Sequence, residues 1–296
     1  MNVVARARKC GVPDSIRRFT RLGAAAITAL VLAVLVPVSA GPVASAATTR
    51  TTVTAAPVMH HLKLHAMPHG SVAFGRDRHH HLIVRISVYG LTPGSSHAVD
   101  LRIPNRLAVI RFSPLTAASS GRALATLASH FAGRWPRASQ LVIRLGAGRS
   151  RLDRTPIAVT RRLPHSGRHH RLIAVEVSRH GVSFGTPHGA ARLSYNSRKH
   201  TLTVLVHASG LTPGPHAAHI HLGSCQNQGP VKYMLNDLIA NRHGIVRQAV
   251  SVFTNVTQPI PAQGWYLNIH QGNSRNILHN GQPTIFFRPL LCANIR

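Results

Sequence analysis

Apolar residues recur at every second position along much of the chain beyond residue 70. Leu82-Ile83-Val84-Arg85-Ile86-Ser87-Val88 is one such stretch, and Leu202-Thr203-Val204-Leu205-Val206 is another. Side chains two apart on a strand share a face, so each stretch predicts a strand with one buried side. Both run into the same turn, Gly90-Leu91-Thr92-Pro93-Gly94 and Gly210-Leu211-Thr212-Pro213-Gly214. A His-Ala strand follows each turn: His97-Ala98-Val99-Asp100-Leu101-Arg102 and His216-Ala217-Ala218-His219-Ile220-His221. Later, Leu141-Val142-Ile143-Arg144-Leu145-Gly146 matches Leu267-Asn268-Ile269-His270-Gln271-Gly272. The blocks also open alike, with Gly70-Ser71-Val72-Ala73-Phe74-Gly75 and Gly181-Val182-Ser183-Phe184-Gly185. This is a duplicated unit. Short strands between Gly, Pro and Asn turns predict an all-β fold, a tandem of Greek-key sandwich or barrel domains of immunoglobulin-like type.

The pattern sets the expected boundaries. Residues 1–46 read as a signal peptide. Six basic residues precede an apolar run from Gly23 to Val36, and Ala44-Ser45-Ala46 offers a cleavage site. The apolar run is short for a membrane span, which favours cleavage and secretion over an uncleaved anchor. No transmembrane segment is expected after it. Residues 47–66, rich in Thr, Ala and His, are expected as a flexible lead-in. The first β domain is then 67–160, a mostly basic linker 161–180 with room for a short strand at Leu172–Val177, and the second β domain 181–296.

Cysteine and charge add to this picture. The leader takes Cys10 with it, leaving Cys225 and Cys292. Two cysteines in an exported chain most simply pair. Their disulfide closes a loop of 66 intervening residues, worth roughly 4 kcal/mol in the chain-entropy view. The leader also holds six of the 35 basic residues and one of the six acids, so the remainder carries a formal +24. Such a surface attracts anions. It suits acidic polymers as partners, or acidic surroundings, or it reflects a coding bias toward Arg. No zinc-finger spacing, aromatic RNA-binding motif or basic helix points to specific nucleic-acid recognition. Gly-x-Ser-x-Gly is absent, and acids are too few for a carboxylate pair, so nucleophilic and glycosidase chemistry are poorly supported.

The two blocks differ at the positions that bear chemistry. His219 and His221 lie two apart, so their imidazoles project side by side while Ala218 and Ile220 turn to the core. Two such rings make half a metal site. Where the second block has His219, His221 and His270, the first has Asp100, Arg102 and Arg144. Arginine does not ligate metals, so the first block is expected to be metal-free. The other clusters, His60-His61, His79-His80-His81 and His169-His170, read as solvated loop residues.

From Gly181 to Ile295 the second block resembles the chordin-type (CHRD) domains and the Cu/Zn superoxide dismutases. The resemblance rests on a strand entering GLTPG, then His-x-His, Gly-x-Cys, Gly229-Pro230, Asn241-Arg242-His243-Gly244, a late strand ending in His270 and a terminal cysteine. GLTPG followed by Ala-His-Ile-His is CHRD-like, and the cysteine pair with Gly-Pro is dismutase-like. The first block shares the CHRD-like frame as a degenerate copy. The resemblance implies copper held by His219, His221 and His270, with superoxide or another small anion as the partner. Val231 stands where the dismutases place the ligand that bridges to zinc, and Lys232 to Ile239 holds no histidine. A dismutase-type zinc site is therefore not expected, and dismutase activity is in doubt. Arg288, four residues before Cys292, corresponds loosely to the anion-guiding arginine of that family.

Overall fold

The computed structural model describes residues 56–103, 109–132, 139–163, 169–178 and 182–296. The expected leader lies outside them. Sixteen strands form two antiparallel sheets of eight, and no α-helix occurs among the described residues. In chain order, the first nine are β1 Val58–Ala66, β2 His69–Arg76, β3 Leu82–Tyr89, β4 Val99–Arg102, β5 Val109–Arg111, β6 Ala123–Ala128, β7 Gln140–Arg144, β8 Pro156–Thr160 and β9 His170–Ala174. The remainder are β10 His188–Asn196, β11 Thr201–Ser209, β12 Ala218–Ser224, β13 Asn227–Met234, β14 Val246–Phe253, β15 Trp265–His270 and β16 Pro289–Ile295. The all-β reading holds.

The alternating stretches bury the residues their period predicts. Leu82, Val84, Ile86 and Val88 of β3 enter one core, and Leu202, Val204 and Val206 of β11 enter another. Each fully buried Leu, Ile or Val stabilises by about 2 kcal/mol through apolar transfer. The second sheet curls far enough for its two edge strands to meet: the tilted rings of Tyr233 of β13 and Phe253 of β14 lie with centroids 5.0 Å apart. Each sheet wraps its own core in this way.

The two sheets share one plan. The first runs β5-β4-β7-β8-β9-β2-β3-β6, and the second β13-β12-β15-β16-β1-β10-β11-β14. Slot by slot the orders correspond, and so does the register. Val99 pairs with Ile143 as Ala218 pairs with Ile269. The same irregular contact follows in both. Arg144 N–H donates to Ala98 O at 2.9 Å, and His270 N–H donates to Ala217 O at 2.8 Å. Gly90 and Gly210, which open the matching turns, take φ of +79° and +76°, a region L side chains disfavour.

One slot in each sheet is filled by an unexpected segment. The lead-in supplies β1, which sits between β16 and β10 in the second sheet. The expected linker supplies β9, which fills the equivalent slot, between β8 and β2, in the first sheet. Chain order would place β1 beside β2 and β9 beside β10. The two strands have thus exchanged sheets. Residues 58–66 are therefore ordered strand and not flexible lead-in, and the short strand expected at Leu172–Val177 begins at His170 and belongs to the first sheet. The cause is legible afterwards: Leu62 and Leu64 alternate with His61, Lys63 and His65, and both leucines are buried in the second core. In β9, Leu172 and Ala174 turn inward in the same way.

Candidate metal centre

β12 and β15 are neighbours in the second sheet, with His219 opposite Asn268 and His221 opposite Tyr266. Ala218, Ile220, Trp265, Leu267 and Ile269 point into the core. His219, His221 and His270 share the other face, as the two-residue period of each strand requires. That face is not open, however. All six residues of β15 are buried, and His219, His221 and His270 are 3%, 3% and 0% exposed. Met67, Tyr266 and the Cys225–Cys292 disulfide pack together over part of it. Phe287 lies against His270, with ring centroids 4.6 Å apart.

The three imidazoles converge. One nitrogen from each lies within 4.8 Å of the others, and the ring centroids are 5.1 to 6.0 Å apart. Second partners fix which nitrogen faces the centre. His221 Nδ1–H donates to Gly229 O at 2.9 Å, and His270 Nδ1–H donates to Phe287 O at 2.6 Å. Both rings then turn an unprotonated Nε2 inward. His221 Nε2, His270 Nε2 and His219 Nδ1 are all buried without a protein hydrogen bond. A buried polar atom left unpaired is costly. Three such lone pairs facing one another make a donor set suited to a transition-metal ion.

Protonation does not block the site. Burial, reinforced by His221, lowers His219 to a pKa of about 4. Burial and the neighbouring His219 lower His270 to about 3. Burial also lowers His221, partly offset by its bond to Gly229. The cluster is thus held in the neutral, ligating form at pH 7.

Several supporting groups carry no sequence signal. The carbonyls of Gly229 and Phe287 are backbone atoms, and Phe287 reaches His270 only through a short 3₁₀ turn at Ile285–Phe287. Tyr266 stacks on His221 at 4.9 Å, and its hydroxyl accepts from Gly229 N–H at 3.2 Å. Its placement on the His270 face was the one clue available. His216 bridges the carbonyls of Thr212 and His270, bracing the end of β15.

Other expected residues fall differently. Val231 of β13 pairs with His221 and is 45% exposed, so it offers no ligand atom. Lys232 leans over the Trp265 ring instead of joining a zinc series. Arg288 is 1% exposed, and its Nη2 donates to the fully buried Glu176. This buried ion pair ties the approach to β16 to the segment after β9, and it takes Arg288 off the surface an anion guide would line. Cys225 and Cys292 form the expected disulfide. The His79–His81 cluster is organised by Asp77, which accepts from His79 N–H and His81 N–H.

Residues 174–276 match the family model of the CHRD domain. The matched stretch holds His219, His221 and His270 and leaves out residues 67–160. The resemblance read from the sequence is thus supported in its CHRD part, and the match carries no dismutase activity. No curated protein matches the chain.

Proposed function

We propose that the protein is a CHRD-domain protein of the cell exterior whose second domain holds one transition-metal ion through His219, His221 and His270. The observation that carries this reading is the convergence of three buried imidazole nitrogens that have no protein partner. His219 would contribute Nδ1, and His221 and His270 would contribute Nε2. Copper is the metal proposed, since imidazole donors suit it and it ranks highest among divalent ions for such sites. Once bound, it would supply a redox-active centre. The chain's own part is to keep the three rings neutral, hold their tautomers through Gly229 O and Phe287 O, and exclude water.

The reading is of a metal holder more than a dismutase. Val231 adds no fourth ligand, Arg288 is engaged with Glu176, and the histidines are almost wholly covered. Export fits the disulfide, and no described helix is long and apolar enough to cross a membrane.

Copper titration of the full chain tests the reading, with zinc as competitor and His219→Ala alongside. One equivalent bound by the native chain and none by the variant is expected. Loose binding that is equal in both would overturn it. A superoxide assay on the loaded protein then separates holder from enzyme, and little or no turnover is expected.

A further inference from the structure

Where the exchanged strands end, a cleft of about 660 Å³ opens between the two sheets. β1 contributes Lys63 and His65, and β2 contributes His69. Arg161, His169, His170 and Arg171 come from the segment that leads into β9 and from its start, and His188 opens β10. Three permanent cations and five imidazoles therefore line one cavity. Among the described residues lining it there is no carboxylate. The cations are not paired off internally, since every ion pair found among described residues lies elsewhere. We infer that this cleft is a binding site for a small polyvalent oxyanion of the oligophosphate class.

Size, charge and hydrogen-bonding capacity agree on that class. The volume lies within the range of small-molecule sites, roughly 300–1,000 Å³. Guanidinium, ammonium and imidazole donors together match a chain of phosphate oxygens. His170 offers a buried Nε2 with no protein partner, and its ring is held edge-on by Phe74 at 6.0 Å. His69 is braced by Tyr89 at 5.3 Å. The crowding of like charge is already felt: Arg171 and His65 add to burial in lowering His69, and His169 adds to burial in lowering His170. A bound oxyanion would reverse that effect, so binding takes up protons. The permanent charges Lys63, Arg161 and Arg171 give a floor of affinity. His69 and His170, which burial holds below the ordinary imidazole value, make it rise as pH falls.

The site is separate from the histidine centre and does not rest on the metal reading. The test is isothermal titration of metal-free full chain with inorganic tripolyphosphate at pH 6 and pH 8. One site per chain is expected, at least tenfold tighter at pH 6, with proton uptake seen as a dependence on buffer ionisation heat. The variant Lys63→Gln/Arg161→Gln/Arg171→Gln should lose at least tenfold. A charge-matched control, Arg242→Gln/Arg247→Gln/Arg275→Gln, should keep native affinity, because those exposed arginines do not line the cleft. Equal losses in both variants, several equivalents per chain or no binding would overturn the proposal. All six substituted residues are exposed, and circular dichroism checks that each variant is folded.

Discussion

Asp100 and Arg144 in the first sheet occupy the positions that His219 and His270 hold in the second. The frame around them is the same. His97 donates Nδ1–H to Arg144 O at 2.9 Å, and His216 donates Nδ1–H to His270 O at 2.9 Å. On that shared frame the first sheet closes the position with an ion pair, Arg144 Nε to Asp100. Arg144 is further anchored through Nη1 to Arg154 O at 2.6 Å. The first site is thus satisfied by its own residues. The second is left with three lone pairs facing each other. A fold can hold the backbone of a site constant while a few side chains decide whether it is closed or waiting for a ligand.

The largest effect that could break this comparison concerns the strand exchange. Deleting residues 47–66 removes β1 from the centre of the second sheet, including Leu62 and Leu64. The cooperative unfolding transition of the second half should vanish, and proteolysis there should accelerate greatly. A true lead-in would leave both unchanged.

Next in size is a transplant. Asp100→His/Arg102→His/Arg144→His gives the first sheet the second sheet's residues at matching register. Metal stoichiometry should rise from one to two if the frame alone sets the geometry. A stoichiometry that stays at one would show that the partners Gly229 O and Phe287 O are required as well. Arg144→Ala alone should leave metal binding intact and cost roughly 3 kcal/mol, because it strands a buried Asp100 carboxylate. Chemical denaturation reads that cost.

The acid response should also separate the halves. His219 and His270 have folded pKa values of about 4 and about 3, below the unfolded value near 6.5. A lowered folded pKa means that the unfolded chain binds more protons between those values. Their contribution is complete above pH 6.5 and is lost as pH falls toward 4. By pH 4.5 the metal-free protein should lose roughly 2 kcal/mol for each of the two. His219→Gln should flatten that acid limb in thermal melts. The smallest effect expected is from Val231→His. It faces the same side as His221 across the β12–β13 pairing, so it should shift the spectrum of the copper-loaded protein with little change in stability.

Much of this was legible in the chain. The period-two stretches, the paired GLTPG turns and the matched His-Ala strands point to two all-β sheets of matching order, because alternation and turn chemistry are local. The same alternation places three histidines on one face. The exchange of β1 and β9 was not legible, because either strand satisfies the same slot pattern and only long-range pairing chooses between them. His60-His61 and the neighbouring Thr/Ala run also masked the short Leu62-Lys63-Leu64 alternation. The burial of the histidine face was hidden too, since it depends on Met67, Phe287 and a disulfide brought in from distant segments. The Asp100–Arg144 pair could be read as metal-free, but not as an ion pair that closes the site.

The central claim concerns specific nitrogen atoms, and nitrogen-15 NMR of histidine-labelled protein titrated with zinc reads them directly. Zinc is diamagnetic and accepts the same imidazole donors. The account predicts one equivalent in slow exchange, with coordination shifts confined to Nδ1 of His219 and Nε2 of His221 and His270. Shifts among the exposed histidines, with these three unmoved, would contradict it.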